Sequence, residues 1–152
     1  MILISHRGNI NGPNINLEND PDYVNKTIKQ GFDCEIDVRI IDNEIYLGHD
    51  KPQHLIDIGW LYARRNNLWI HCKDLQTFSR FNTHYNKFNY FFHDSDLGVL
   101  TSYSYIWSAN NVKNGILVMP ELFNTKPDNN TLGVCSDYIQ NYNLNLYFLL
   151  NN

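Results

Sequence analysis

The sequence predicts an α/β fold, a shortened or incomplete TIM-type (β/α) barrel whose helices are reduced in its second half. Three observations predict it. In the first two thirds of the chain, apolar runs of strand length alternate with segments of helical spacing, the pattern of a parallel sheet with helical crossovers. Polar groups fall repeatedly at the C-terminal ends of those runs, at His6-Arg7, Asp37, His71 to Lys73, His93-Asp94, Trp107, Glu121 and Asp137. In a βα barrel such ends converge on one face, where active sites sit. The chain has 152 residues, against about 250 for a typical barrel of this type, so a barrel here must be trimmed. Residues 1–152 are read as one domain.

The elements follow in order. Met1 to Ser5 is a short apolar strand leading into His6-Arg7-Gly8, and a loop rich in Gly, Pro and Asn comes next. Asn19-Asp20-Pro21 offers a helix cap with Pro in the first turn, and Tyr23, Val24, Thr27 and Ile28 keep helical spacing up to Gly31. From Phe32 to Ile41 the pattern alternates. Phe32, Cys34, Ile36, Val38 and Ile40 share one face, and Asp33, Glu35, Asp37 and Arg39 the other. Asp42-Asn43 turns the chain into a second short strand, Glu44 to Leu47, which delivers Gly48-His49-Asp50. Leu55 to Arg65 reads as a helix, Leu68 to Lys73 as a strand, Leu75 to Asn86 as a helix and Phe88 to Phe92 as a strand. Beyond Asp96 the pattern loosens. Tyr103 to Trp107, Gly115 to Met119 and Gly133 to Ile139 read as short strands with weak or absent helices between them. The segment from Tyr142 to Asn152 reads as a strand or one helical turn, and periodicity does not choose between them.

Composition excludes several function classes. With 43% hydrophobic and 18% charged residues the chain is globular rather than disordered. A formal charge of -4 leaves no basic surplus for a nucleic-acid backbone, and no nucleic-acid partner is expected. No apolar run approaches the roughly 18 residues of a membrane span, and Met1 to Ser5 reaches His6 too soon for a signal peptide, so a cytoplasmic location is expected. Cys34, Cys72 and Cys135 are odd in number and form no CxxC, which predicts reduced, buried thiols. Barrel strands stripped of helices would expose apolar surface, and a second copy of the chain is a candidate to cover it.

The chemistry-bearing residues cluster in the first half. Glu35 and Asp37, two apart on a strand, project from the same side and can share one hard divalent cation. Pointing into a barrel, two unpaired carboxylates are expensive, which favours a metal role over a solvated face. His6 and His49 are the candidate general acid and base, because imidazole titrates near neutral pH. Arg7 offers a fork of donors to phosphate oxygens and Lys73 a point charge; Arg7 reaches the site only if the chain turns at Gly8. His71 lies two residues before Lys73 and faces the same way. Glu18, His93, Trp107, Glu121 and Asp137 are further pocket candidates, with Trp107 as an apolar or stacking wall.

His6-Arg7-Gly8, then Glu18-Asn19, then Glu35-Ile36-Asp37, then Gly48-His49-Asp50 resembles the glycerophosphodiester phosphodiesterase family, whose pattern is H-R-G, P-E-N, E-x-D and a later H-D in that order. Gly133 to Tyr138 is similar to the family's final-strand G-x-x-T-D. Where the family has E-x-K on its third strand, this chain has His71-Cys72-Lys73, so the resemblance implies His71 as a metal ligand in place of a carboxylate, a donor that suits zinc or manganese as well as magnesium or calcium; the Pro before Glu18 is missing. The resemblance implies metal-assisted hydrolysis of a small-molecule phosphodiester, with His6 and His49 as acid and base and Mg or Ca as the cation. Two readings follow for the chain. One is a phosphodiesterase; the other, prompted by His71 and the stripped second half, is a phosphodiester-binding module with weak or lost turnover. A Ser/His/Asp hydrolase is disfavoured, because no G-x-S-x-G elbow is present.

Overall fold

The computed structural model describes residues 1–143, and in it the chain is a mixed α/β domain built on one curled sheet with few helices. In chain order the elements are β1 (Ile2–His6), α1 (Pro21–Lys29), β2 (Asp33–Ile41), β3 (Glu44–Leu47), β4 (His54–Ile56), α2 (Ile58–Arg64) and β5 (Leu68–Cys72). Then come α3 (Leu75–His84), β6 (Asn89–Phe91), β7 (Gly98–Leu100), β8 (Ile106–Ser108), β9 (Gly115–Val118), α4 (Pro120–Phe123) and β10 (Gly133–Ser136). The expected last strand or helical turn lies, for 144–152, outside the described residues.

The strands β6, β5, β2, β1, β10, β9 and β8 run parallel in that spatial order. All their C-terminal ends therefore share one edge. Short antiparallel strands are added at two places: β3 and β4 continue from β2, and β7 folds back on β8. The curl brings the β7–β8 turn to the far edge, where Ser102 N–H donates to Tyr90 O at 2.8 Å and Ser102 Oγ donates to Phe88 O at 2.9 Å. Together these features make a partial barrel.

Period-two alternation decides what each face does. The outer face of β2 carries Cys34, Ile36 and Val38, which pack with Ile70, Cys72, Phe88 and Tyr90 against the helix residues Val24, Leu61 and Phe81. Fully burying a side chain of that size stabilises by roughly 1.5–3 kcal/mol. The inner face is lined by Ile4, Trp69, Phe91, Trp107, Ile116 and Cys135. A third cluster, Ile10, Phe32, Val134 and Ile139, covers the outside of β1 and β10.

Each of the first three helices starts where an aspartate can accept from exposed N–H groups. Asp20 takes Asp22 N and Tyr23 N, Asp57 takes Trp60 N, and Asp74 takes Thr77 N. After β6, among the described residues, the helices thin to the single turn of α4 and the helical residues 140–143, in line with the sequence pattern. Two expectations need correction. The helix expected from Leu55 begins at Ile58, because His54–Ile56 pairs with β3 and Asp57 supplies the cap. The strand expected from Tyr103 begins at Ile106, and Gly98–Leu100 is a strand that the loosened pattern concealed. Edge strands of three residues carry too little alternation to be seen in a sequence. Cys34, Cys72 and Cys135 are buried and unpaired, as expected.

Candidate functional site

The shared edge of strand ends opens into a cavity of about 620 Å3 lined by residues of both halves. Its polar wall is built by strand register. His6 sits beside Glu35 across β1 and β2, and Asp37 beside His71 across β2 and β5. Side chains two apart on β2 and β5 thus face one another at adjacent levels. Glu35 Oε1 and Asp37 Oδ1 lie 3.8 Å and 3.2 Å from His71 Nδ1. One ligand atom from each of Glu35, Asp37 and His71 falls within 4.8 Å of the others.

Those donors fit a divalent cation. Among the described residues, Glu35 Oε2 and Asp37 Oδ1 are buried oxygens without an aligned hydrogen-bond partner, and such orphaned acceptors are what a metal satisfies. Two carboxylates and an imidazole form a mixed set, softer than an all-oxygen cage. Electrostatics separate the two acids. Burial pushes the Glu35 carboxyl up and the neighbouring Asp37 charge pushes it further, against the pull of His6, Arg7 and His71. Burial would raise Asp37 too, but the His71 ring and the charges of Arg7 and Lys73 outweigh it and hold Asp37 well below the usual carboxylate range. Asp37 is thus favoured in its charged form, and Glu35 is the carboxyl whose proton a bound cation would displace.

Arg7 reaches the site because the chain turns at Arg7 itself, φ 55°, and again at Gly8, φ 96°. A Cβ at Gly8 would fall 2.6 Å from the Tyr23 ring, so no other residue lets α1 approach this turn. Arg7 Nε lies 2.9 Å from Asp37 Oδ2, and Lys73 Nζ lies 3.1 Å from Asp37 Oδ1. The two expected phosphate-binding cations therefore also compensate Asp37. Both line the cavity.

The two histidines differ. His6 Nδ1 lies 2.8 Å from Asp137 Oδ1 and its Nε2 lies 3.9 Å from Glu35 Oε2, so the Asp137 carboxylate fixes the ring and leaves Nε2 on the Glu35 side. Burial works to lower the pKa of His6, but Asp137 and the Glu35 charge overcome it and raise it above the ordinary imidazole value. His49 stands on the loop after β3, more open, with Nδ1 at 2.6 Å from Asp50 Oδ1. Partial burial and the Arg7 charge lower its pKa. The loop is fixed by Gly48, φ 146°, where a Cβ would meet Lys51 O at 2.2 Å, and by Arg39 donating to His49 O at 2.7 Å.

Of the further pocket candidates, His93 and Trp107 line the cavity. His93 stacks on His71 at 4.5 Å, and Trp107 packs on Phe91 and Trp69. Glu18, Asp137 and Glu121 stand one layer back. Glu18 accepts from Arg7 and Asn9, and it is not among the three grouped ligands. Glu121 accepts from Asp137 N and Ser136 Oγ at the end of β10. Two residues that were not among the expected site residues complete the frame. Asn19, fully buried, donates to Asp37 Oδ2 and accepts from Asp37 N, both at 2.9 Å. Asn9, also fully buried, bridges Glu18 and Asp137. The signal for Asn9 is its position directly after Gly8, and that for Asn19 is its place in the Glu18-Asn19 pair quoted for the resemblance.

Comparison of the chain with protein-family models, with curated proteins and with solved structures finds no match. Among the described residues, no helix is long and apolar enough to cross a membrane.

Proposed function

We propose that the chain is a metal-assisted phosphodiesterase similar to the glycerophosphodiester phosphodiesterase family, on a trimmed TIM-type barrel. The observation that carries this reading is the grouping of Glu35, Asp37 and His71 within 4.8 Å, with Glu35 and His71 lining a cavity that also takes in His6, His49, Arg7 and Lys73, and Asp37 buried behind them. When bound, a divalent cation supplies charge stabilisation to the phosphoryl oxygens and acidifies a hydroxyl nucleophile. Glu35, Asp37 and His71 would hold it. Arg7 and Lys73 bind and orient the non-bridging oxygens from the Asp37 side.

The proton work divides by environment. His49, shifted toward its neutral form, takes the proton of the attacking hydroxyl. His6, shifted toward its charged form and held by Asp137, gives a proton from Nε2 to the leaving alcohol. Trp107 forms the apolar wall for the rest of the substrate. His6→Ala and His49→Ala are each expected to lower hydrolysis of glycerophosphodiesters by at least about 100-fold, with circular dichroism unchanged. Unchanged turnover in either variant removes the mechanism.

One observation favours the second reading, a binding module without turnover. Asp37 is already contacted by Arg7, Lys73, His71 and Asn19, so the cluster is partly self-neutralised without a cation. A metal titration beside an activity screen separates the two readings. Tight phosphodiester binding with no metal-dependent product selects the module.

A further inference from the structure

Beside the polar cavity lies a second one of about 320 Å3, the size at which small-molecule subsites begin. The two share a wall of His93, Asp94, Trp107, Val118 and Met119. Past that wall the chemistry changes. The annex runs between the β7–β8 hairpin and α4, where Val99, Ala109, Leu122 and Phe123 supply apolar surface. No Lys or Arg lines it, and its charged residues, Asp94 and Asp96, are both exposed. An anionic group is disfavoured there.

Leu97, Leu122 and Phe123, all lining the annex, are 67%, 70% and 53% exposed. Apolar surface gathered in one place like this marks a ligand groove or an interface. Its continuity with the polar cavity decides for a ligand. Met119 stands at the junction in the left-handed region, φ 48°, with its N–H donating to Cys135 O and its carbonyl accepting from Leu122 N. Non-glycine strain of this kind gathers at ligand clamps, and a thioether adapts to apolar guests of varied shape.

The geometry points to a phosphodiester substrate in which one ester alcohol carries an apolar chain. Its phosphate occupies the polar cavity, and the chain passes over Trp107 and Met119 into the annex. This rests on the phosphodiesterase reading and adds the class of alcohol. Leu122 and Phe123, exposed on α4, then act as specificity residues.

Isothermal titration with methyl butyl phosphate and methyl octyl phosphate tests it, alongside sedimentation of the same samples. Affinity is expected to rise about tenfold or more from butyl to octyl, well within what burying added methylenes supplies. Leu122→Asp, at an exposed position, should flatten that dependence to within about twofold, whereas Leu55→Asp, 59% exposed on β4, should preserve it. Equal binding of both probes by the unaltered chain overturns the annex and leaves the phosphodiesterase reading standing. Failure to bind either probe overturns both. A chain-length dependence that survives Leu122→Asp also overturns the annex. So does equal binding of the probes by a dimer that Leu122→Asp dissociates, which would assign the surface to a second copy.

Discussion

The two halves of this protein divide the labour unequally. Between β1 and β6 three helices of seven to ten residues back the sheet at β2, β5 and β6, and that half supplies the proposed metal donors, both cations and both histidines. From β7 to β10 the helices shrink to one turn, and that half supplies an orienting carboxylate, Asp137, and apolar walls. Charges placed to within hydrogen-bond tolerance need strands that cannot slide, and helices packed on the outer face prevent sliding. An apolar wall tolerates a looser frame, because burial has no directional requirement.

The sharpest way to break this contrast is to hollow the helix-backed half. Phe81 is fully buried, with Tyr85, Phe88 and Tyr90 around its ring at 5.4, 5.9 and 5.7 Å. Phe81→Ala should lower stability by about 3–5 kcal/mol in a urea melt. A loss near that of a surface residue would mean that the helices do not brace the site.

Next in size is the cation. Mn2+ at about 100 times its dissociation constant should stabilise the chain by roughly 2.7 kcal/mol in a thermal melt, and Glu35→Gln should abolish the gain. A gain that persists in Glu35→Gln would move the metal elsewhere. Asp137→Asn probes what the second half contributes. It should lower turnover about 10- to 100-fold, as loss of an orienting partner does. It should also reshape the pH profile of stability. Burial works to raise Asp137, but His6 holds it below 3.8, so its contribution is full above that value and lost as pH falls through the lowered one. His6 is raised above 6.5, so its contribution is full below that value and lost as pH rises through the raised one. The pair is therefore strongest between them, and Asp137→Asn should flatten both limbs in pH-dependent melts. The smallest effect belongs to the stripped half's surface. Leu100→Ser, at a position 67% exposed on β7, should change stability by no more than about 0.5 kcal/mol; a larger loss would show that the hairpin has a packing role.

Much of the site is legible in the chain because strand alternation is a local property. Glu35 with Asp37, and His71 with Lys73, had to share a face once each segment was a strand, and His6 and His49 had to stand at strand ends. Three-residue strands such as β4 and β7 were not legible, since three residues complete barely one alternation. The contacts of Asn9 and Asn19 were not legible either, although Asn19 stands in the Glu18-Asn19 pair. Each gains its role from partners brought near by the fold, Asp137 lying 128 positions from Asn9 and Asp37 18 from Asn19.

By itself, then, the sequence determined the α/β alternation, the thinning of helices after β6 and which residues of β2 share a face, all properties of spacing along one segment. Only the tertiary structure decided which strands are neighbours: that β2 lies between β1 and β5, so that His6, Glu35, Asp37 and His71 meet, and that β10 lies beside β1, so that Asp137 fixes His6. The physical reason is that a hydrogen-bonded register and a shared buried charge are pairwise terms between distant segments. They come into being when the chain closes on itself.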